Sequence, residues 1–215
     1  MTQTLINIAP QPIANFVFAH GAGAGQESEF MNVMAQGIAK HNITVIRFNF
    51  PYMQLAQQLG KRRPPDRADK LLTHFTGVLD ELDKKLPIFI GGKSMGGRMA
   101  SMLLQDSIAK GCICMGYPFH PPAKPEKLRT GDLLTINKPV LILQGERDTF
   151  GTRAEIDTYS LSQQVQLRYL ADGDHSFKPR KASGYSLDDN LTTAIDSTVD
   201  FIHSAIKKET AICVK

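Results

Sequence analysis

Short, unbroken apolar runs recur along this chain, and between them the apolar residues fall at helical spacing. The runs are NFVFA (15–19), ITVIRF (43–48), PIFIG (87–91), GCICMG (111–116), PVLILQG (139–145) and VQLRYL (165–170). A strand with one wet face alternates apolar and polar residues, whereas a continuous run suits a strand covered on both faces, as in a parallel sheet. The intervening periodicity predicts helices over 30–40, 67–86, 95–109, 153–162 and 191–207. Strand and helix therefore alternate, which predicts an α/β fold: a three-layer α/β/α sandwich with right-handed crossovers. LINI (5–8) is the one candidate for an extra leading strand, giving a mostly parallel sheet of about six or seven strands. A chain of 215 residues suffices for one domain, residues 1–215, and is short for two.

Composition excludes several function classes. With 25 basic and 21 acidic residues the formal charge is only +4, and nucleic acid is not an expected partner. The basic residues that cluster do so locally, at Lys61, Arg62, Arg63 and Arg67 and again at Lys178, Arg180 and Lys181, in stretches that read first as solvated faces. Of the three cysteines, Cys112 and Cys114 are two apart in an apolar run, so both face the same side of a strand as reduced core residues. No H-x-x-H or C-x-x-C spacing offers a metal site, and neither metal nor organic cofactor is expected. No basic region precedes an apolar one near residue 1, and no apolar run reaches membrane-spanning length; a cytoplasmic protein is expected.

Two glycine-rich segments imitate phosphate loops. In HGAGAGQES (20–28), a dinucleotide fingerprint counted from Gly21 meets Gln26 at its last glycine, and counted from Gly23 it meets Ser28. Gly92-Lys93-Ser94 ends like a P-loop, but the glycine required five residues earlier is Pro87, which has no amide hydrogen to offer a phosphate. The same residues fit another pattern. Gly92-Lys93-Ser94-Met95-Gly96 is G-x-S-x-G, with a buried strand before it and a helix after it, as a serine on a tight strand-to-helix turn requires. Ser94 would project from the carboxyl edge of the sheet, with the Met95 amide directed at a developing oxyanion.

A serine nucleophile needs a base and an orienting acid, and in this architecture the chain order is serine, acid, histidine. Asp148, in GERD, follows the strand PVLILQG, and His175, in GDHSF, follows the next one, VQLRYL. Glu146, Asp172 and Asp174 are alternative acids. Among the other histidines, His20 reads as a residue that fixes the loop after its strand, while His41, His74 and His203 fall on predicted helices and His120 is a candidate for the pocket lining. Small residues after the first long run let the backbone approach a tetrahedral intermediate, which nominates the Ala22 amide as a second oxyanion donor, with Gly23 the next choice. Lys93, Arg62 and Arg63 belong to the same sheet edge and are further pocket candidates, for an anionic group on the substrate.

Together HGAGAG, GKSMGG, QGERD and GDHSF resemble the α/β-hydrolase superfamily over nearly the whole chain. GKRRPPD, GGKSMGGRMA and GYPFHPP resemble a compact subgroup related to dienelactone hydrolases and to the hydrolase-like domain of a nonspecific-lethal chromatin-complex subunit. The resemblance implies a minimal α/β-hydrolase fold with little or no lid and a serine hydrolase triad of Ser94, Asp148 and His175, cleaving esters or thioesters of a small-molecule acyl substrate. Dienelactone hydrolases carry cysteine at the elbow where this chain has serine, so their substrate does not carry over. The chromatin relative implies the alternative, a non-catalytic binding or scaffold protein.

Overall fold

A computed structural model describes residues 3–213, with side chains as far as Lys208 in the final helix. The predicted strands form as β1 (Thr4–Asn7), β2 (Ala14–Ala19), β3 (Ile43–Phe48), β4 (Ile88–Lys93), β5 (Cys112–Met115), β6 (Val140–Gly145) and β7 (Val165–Leu170). They make one seven-stranded sheet in the order β1-β3-β2-β4-β5-β6-β7. Only β1, the LINI segment, runs antiparallel.

The unbroken apolar runs have the cause expected of them. In β2, Phe16 and Phe18 enter one core, together with α1 (Glu29–Ala39) and α7 (Leu187–Cys213), while Val17 and Ala19 enter the other, with α3 (Ala68–Asp80) and α4 (Met95–Leu104). Successive strand residues face opposite ways, and here both ways are apolar. β7 lies at the sheet edge, and its Gln166 and Arg168 are exposed. Cys112 and Cys114 are buried and reduced, with their sulfurs 3.6 Å apart.

The helices correct the sequence reading in several places. α3 stops at Asp80 rather than 86, where the Asp83 carboxylate accepts the Lys85 amide in a turn. α4 stops at Leu104 rather than 109, followed by a turn in which the Ser107 hydroxyl accepts the Ala109 amide. Of 153–162 only α6 (Arg153–Ile156) is helical, a single turn held by a Thr152–Glu155 capping box. His41 lies beyond the end of α1 rather than on it. Two helices were not expected: α2 (Pro51–Leu59) and α5 (Gly131–Thr135). Pro51 occupies the first turn of α2, where its missing amide costs nothing, and Gly60 ends that helix at φ 61. KRRPPD (61–66), which its place after the run ITVIRF marks as a loop leaving a strand, thus follows a helix instead.

Strand order decides where a ligand can sit. From β2 the chain moves to β3 on one side and then to β4 on the other, so the loops leaving β2 and β4 diverge and open a crevice at the carboxyl end of the sheet.

Candidate active site

Ser94 stands between β4 and α4 at φ 51, ψ −115, a backbone region that costs a non-glycine residue about 1–3 kcal/mol. The surroundings enforce it. The Ser94 amide donates to Met115 O at 2.9 Å, and its carbonyl accepts the Arg98 amide at 3.0 Å in the first turn of the helix. A Cβ on Gly92 would fall 2.6 Å from Ala19 O, and one on Gly96 2.6 Å from His20 O. Only glycine lets the turn press this closely against the end of β2.

His175 and Asp148 complete a hydrogen-bonded line. Asp148 Oδ2 lies 2.7 Å from His175 Nδ1, and His175 Nε2 lies 2.9 Å from Ser94 Oγ. A carboxylate only accepts, so Nδ1 carries the imidazole proton and donates it to Asp148, leaving Nε2 to accept from the Ser94 hydroxyl. Asp148 is fully buried; its Oδ1 accepts the Phe150 amide and its Oδ2 accepts from Gln144 Nε2, each at 2.9 Å. The other acids are engaged elsewhere. Glu146 binds Arg153 and the Asp172 amide, Asp172 pairs with Arg147 and Arg180, and Asp174 accepts the Ser176 and Lys178 amides in the turn that carries His175.

Gln144 and Tyr52 hold this arrangement, and sequence reasoning passed over both. Gln144 is buried at the end of β6, where its side chain also accepts the Tyr117 amide and donates to the Gly151 carbonyl, tying the loops after β5 and β6 to the Asp148 carboxylate. A lone amide side chain at the end of an apolar strand was the available signal. The Tyr52 hydroxyl on α2 donates to the carbonyls of Gly21 and Ala22, pinning the loop after β2. His20 has the role expected of it. Its Nε2 accepts the Phe50 amide at 3.1 Å while Nδ1 faces Gly21 O at 2.6 Å, which requires a neutral ring protonated on Nδ1. Burial lowers its pKa from 6.5 to about 4, in keeping with that state.

The cleft at Ser94 has a volume of about 370 Å³. Ala22, Gly23, Phe30, Lys93, Phe150 and His175 help to line it, with the Phe150 ring 4.4 Å from that of His175. Lys93 turns its ammonium inward: Nζ donates to His175 O at 2.5 Å and rests over the rings of Phe30 and Phe177. Burial lowers its pKa to about 8, against the opposing pull of Asp148 and Asp174. Arg62 and Arg63 line a neighbouring groove that shares Ala22 and Gly23 with the cleft. His120 does not line the cleft. It is buried, its amide donates to Phe150 O at 3.1 Å, and its Nε2 stands 3.6 Å from Glu155, so it supports the loop behind the site. A larger groove, about 530 Å³, lies between β7 and α7, among Gln166, Arg168, Asp200 and Phe201, and neither Ser94, Asp148 nor His175 lines it.

A family model described as an alpha/beta hydrolase domain matches residues 12–203, from just before β2 into α7. The chain belongs to the alpha/beta hydrolase family. Solved structures resemble this hydrolase along nearly its full length. An alpha-beta serine hydrolase homologue from Coxiella burnetii superposes with a TM-score of 0.71 at 14% identity, covering 92% of this chain and 89% of that one. Dienelactone hydrolase from Anabaena variabilis gives 0.69 at 16% identity, covering 94% and 90%. A lidless a/b serine hydrolase from Xanthomonas campestris gives 0.68 at 17% identity, covering 92% and 87%. At such identities the likeness is one of fold. No helix among the described residues is long and apolar enough to cross a membrane.

Proposed function

We propose that this hydrolase cleaves carboxylic esters or thioesters of small-molecule acyl substrates through an acyl-enzyme on Ser94. The observation that carries the reading is the Ser94–His175–Asp148 line, with contacts of 2.9 and 2.7 Å at the carboxyl end of the sheet. His175 Nε2 takes the Ser94 proton as Oγ attacks the carbonyl carbon, and Asp148 stabilises the imidazolium that results. The Met95 and Ala22 amides receive the oxyanion, each such donor being worth about 3 kcal/mol in the transition state. His175 returns its proton to the departing alcohol or thiol; a water molecule, activated by the same ring, then releases the acid. Lys93, bound to the carbonyl of His175, holds the backbone that positions the ring.

A fluorophosphonate probe followed by mass spectrometry tests this directly. Labelling is expected at Ser94, with Ser94→Ala losing both the label and hydrolysis of short-chain p-nitrophenyl esters by about 10⁴-fold or more. A folded wild-type protein that neither labels nor turns over these esters would overturn the reading and leave the non-catalytic scaffold in its place.

A further inference from the structure

The cleft at Ser94 has a neighbour at the loop after β2. Ala22 and Gly23 line both the cleft and a second trough of about 420 Å³. Met53, Ala56 and Gln57 of α2 line that trough together with the exposed Lys61, Arg62 and Arg63. The αL turn at Gly60 places these three, because the Gly60 and Lys61 amides bond back to Gln57 O and Ala56 O and turn the basic run off the end of α2.

Charge is distributed unevenly there. Among the described residues no aspartate or glutamate lines either trough or cleft, while four cations do: Lys61, Arg62, Arg63 and Lys93. The acids next along the chain are already occupied, Asp66 by Lys70 at 2.9 Å and Asp69 by Arg67 at 3.6 Å. Lys61, Arg62 and Arg63 are exposed, and no ion pair joins them to another described residue. The carboxyl end of a helix attracts cations, but its equivalent of about half a charge cannot balance three. A solvated basic face would have no reason to lie along a groove that shares Ala22 and Gly23 with the cleft of the reacting serine.

We infer that this trough is a second subsite, taking an anionic oxyacid group, carboxylate or phosphate, attached to the part of the substrate that extends from the scissile bond past Ala22 and Gly23. The inference rests on the esterase or thioesterase reading above and adds the substrate class to it: anionic acyl esters, or esters and thioesters with an anionic leaving group. Two adjacent guanidinium groups match the planar oxygen pairs of such anions and, in a groove lined by one sign of charge, also raise the local substrate concentration.

Matched substrates separate the two sources of the anion. The p-nitrophenyl monoester of glutaric acid against p-nitrophenyl butyrate reads the acyl side; butyryl-coenzyme A against the N-acetylcysteamine thioester of butyrate reads the leaving-group side. In at least one pair the anionic member should have the higher kcat/KM, by tenfold or more at low salt, and that ratio should fall as sodium chloride rises to about 0.5 M. Arg62→Gln/Arg63→Gln should bring the ratio close to one, whereas Arg62→Lys/Arg63→Lys should retain part of it. Neutral members cleaved by the wild type with no anionic preference in either pair, or a preference that survives the double glutamine variant, would overturn the subsite and leave the hydrolase reading standing. If Ser94 takes no fluorophosphonate and all four substrates are inert, both readings fall together.

Discussion

At the scale of single residues, the site depends on two buried polar side chains with different duties. Gln144 satisfies three groups on two loops at once, the Tyr117 amide after β5 and the Asp148 carboxylate and Gly151 carbonyl after β6. His20 joins the loop after β2 to the start of α2, and does so only while neutral. An unfolded chain with pKa 6.5 binds a proton on His20 that the folded one, at about 4, refuses. Stability from this residue is therefore fully present above pH 6.5 and is lost as pH falls towards 4. Between pH 7 and pH 5 the expected loss is about 2 kcal/mol, in urea unfolding at 25 °C. His74, whose pKa burial also lowers, adds to it in the same direction. His20→Asn, although less stable at pH 7, should show a flatter profile over that interval; equal slopes in variant and wild type would show that His20 is not the sensor.

At the scale of elements, the strand-to-helix turn and the helices respond in opposite ways to the same added methyl group. Gly92→Ala would drive a Cβ against Ala19 O and the Gly97 amide nitrogen, both at 2.6 Å and both backbone, so relief requires moving β2 or α4. The expected outcome is a destabilisation of about 3 kcal/mol and fluorophosphonate labelling slowed by roughly 100-fold, as the Ser94 hydroxyl leaves its line with His175. Gly77, exposed in α3, has nothing within 4 Å of its Cβ position. Gly77→Ala should therefore stabilise the protein by about 1 kcal/mol and raise Tm by roughly 2–4 °C. Calorimetry of the two variants checks both signs. Motif spacing made the elbow legible because its glycines are required by local geometry. α2 escaped because it is short and buries only Tyr52; its boundary signals, Pro51 and Gly60, were present but also mark ordinary loops.

At the scale of the whole molecule, the connection after β5 decides how open the site is. It spans little beyond the proline-rich loop and the five-residue α5, and most of 122–128 faces solvent. His175 keeps 25% of its side chain exposed, and Ser94 is likewise only partly covered. With no segment to open, hydrolysis of tributyrin should rise smoothly through its solubility limit; an abrupt rise there, read in a pH-stat, would contradict the open cleft. Sequence alone was enough to determine the mostly parallel sheet, its extra leading strand and the glycine-flanked elbow, because strand period and turn sterics are local and depend on neighbours a few positions apart. It could not choose between Asp148 and Glu146, take His120 out of the pocket, find Gln144 and Tyr52, or join the basic run at 61–63 to the Ser94 cleft. Those outcomes depend on which loops meet at one edge of the sheet, and strand order together with the packing of α2 brings together residues far apart in the chain, among them Ala22 and Arg63 and, farther still, Ser94 and His175.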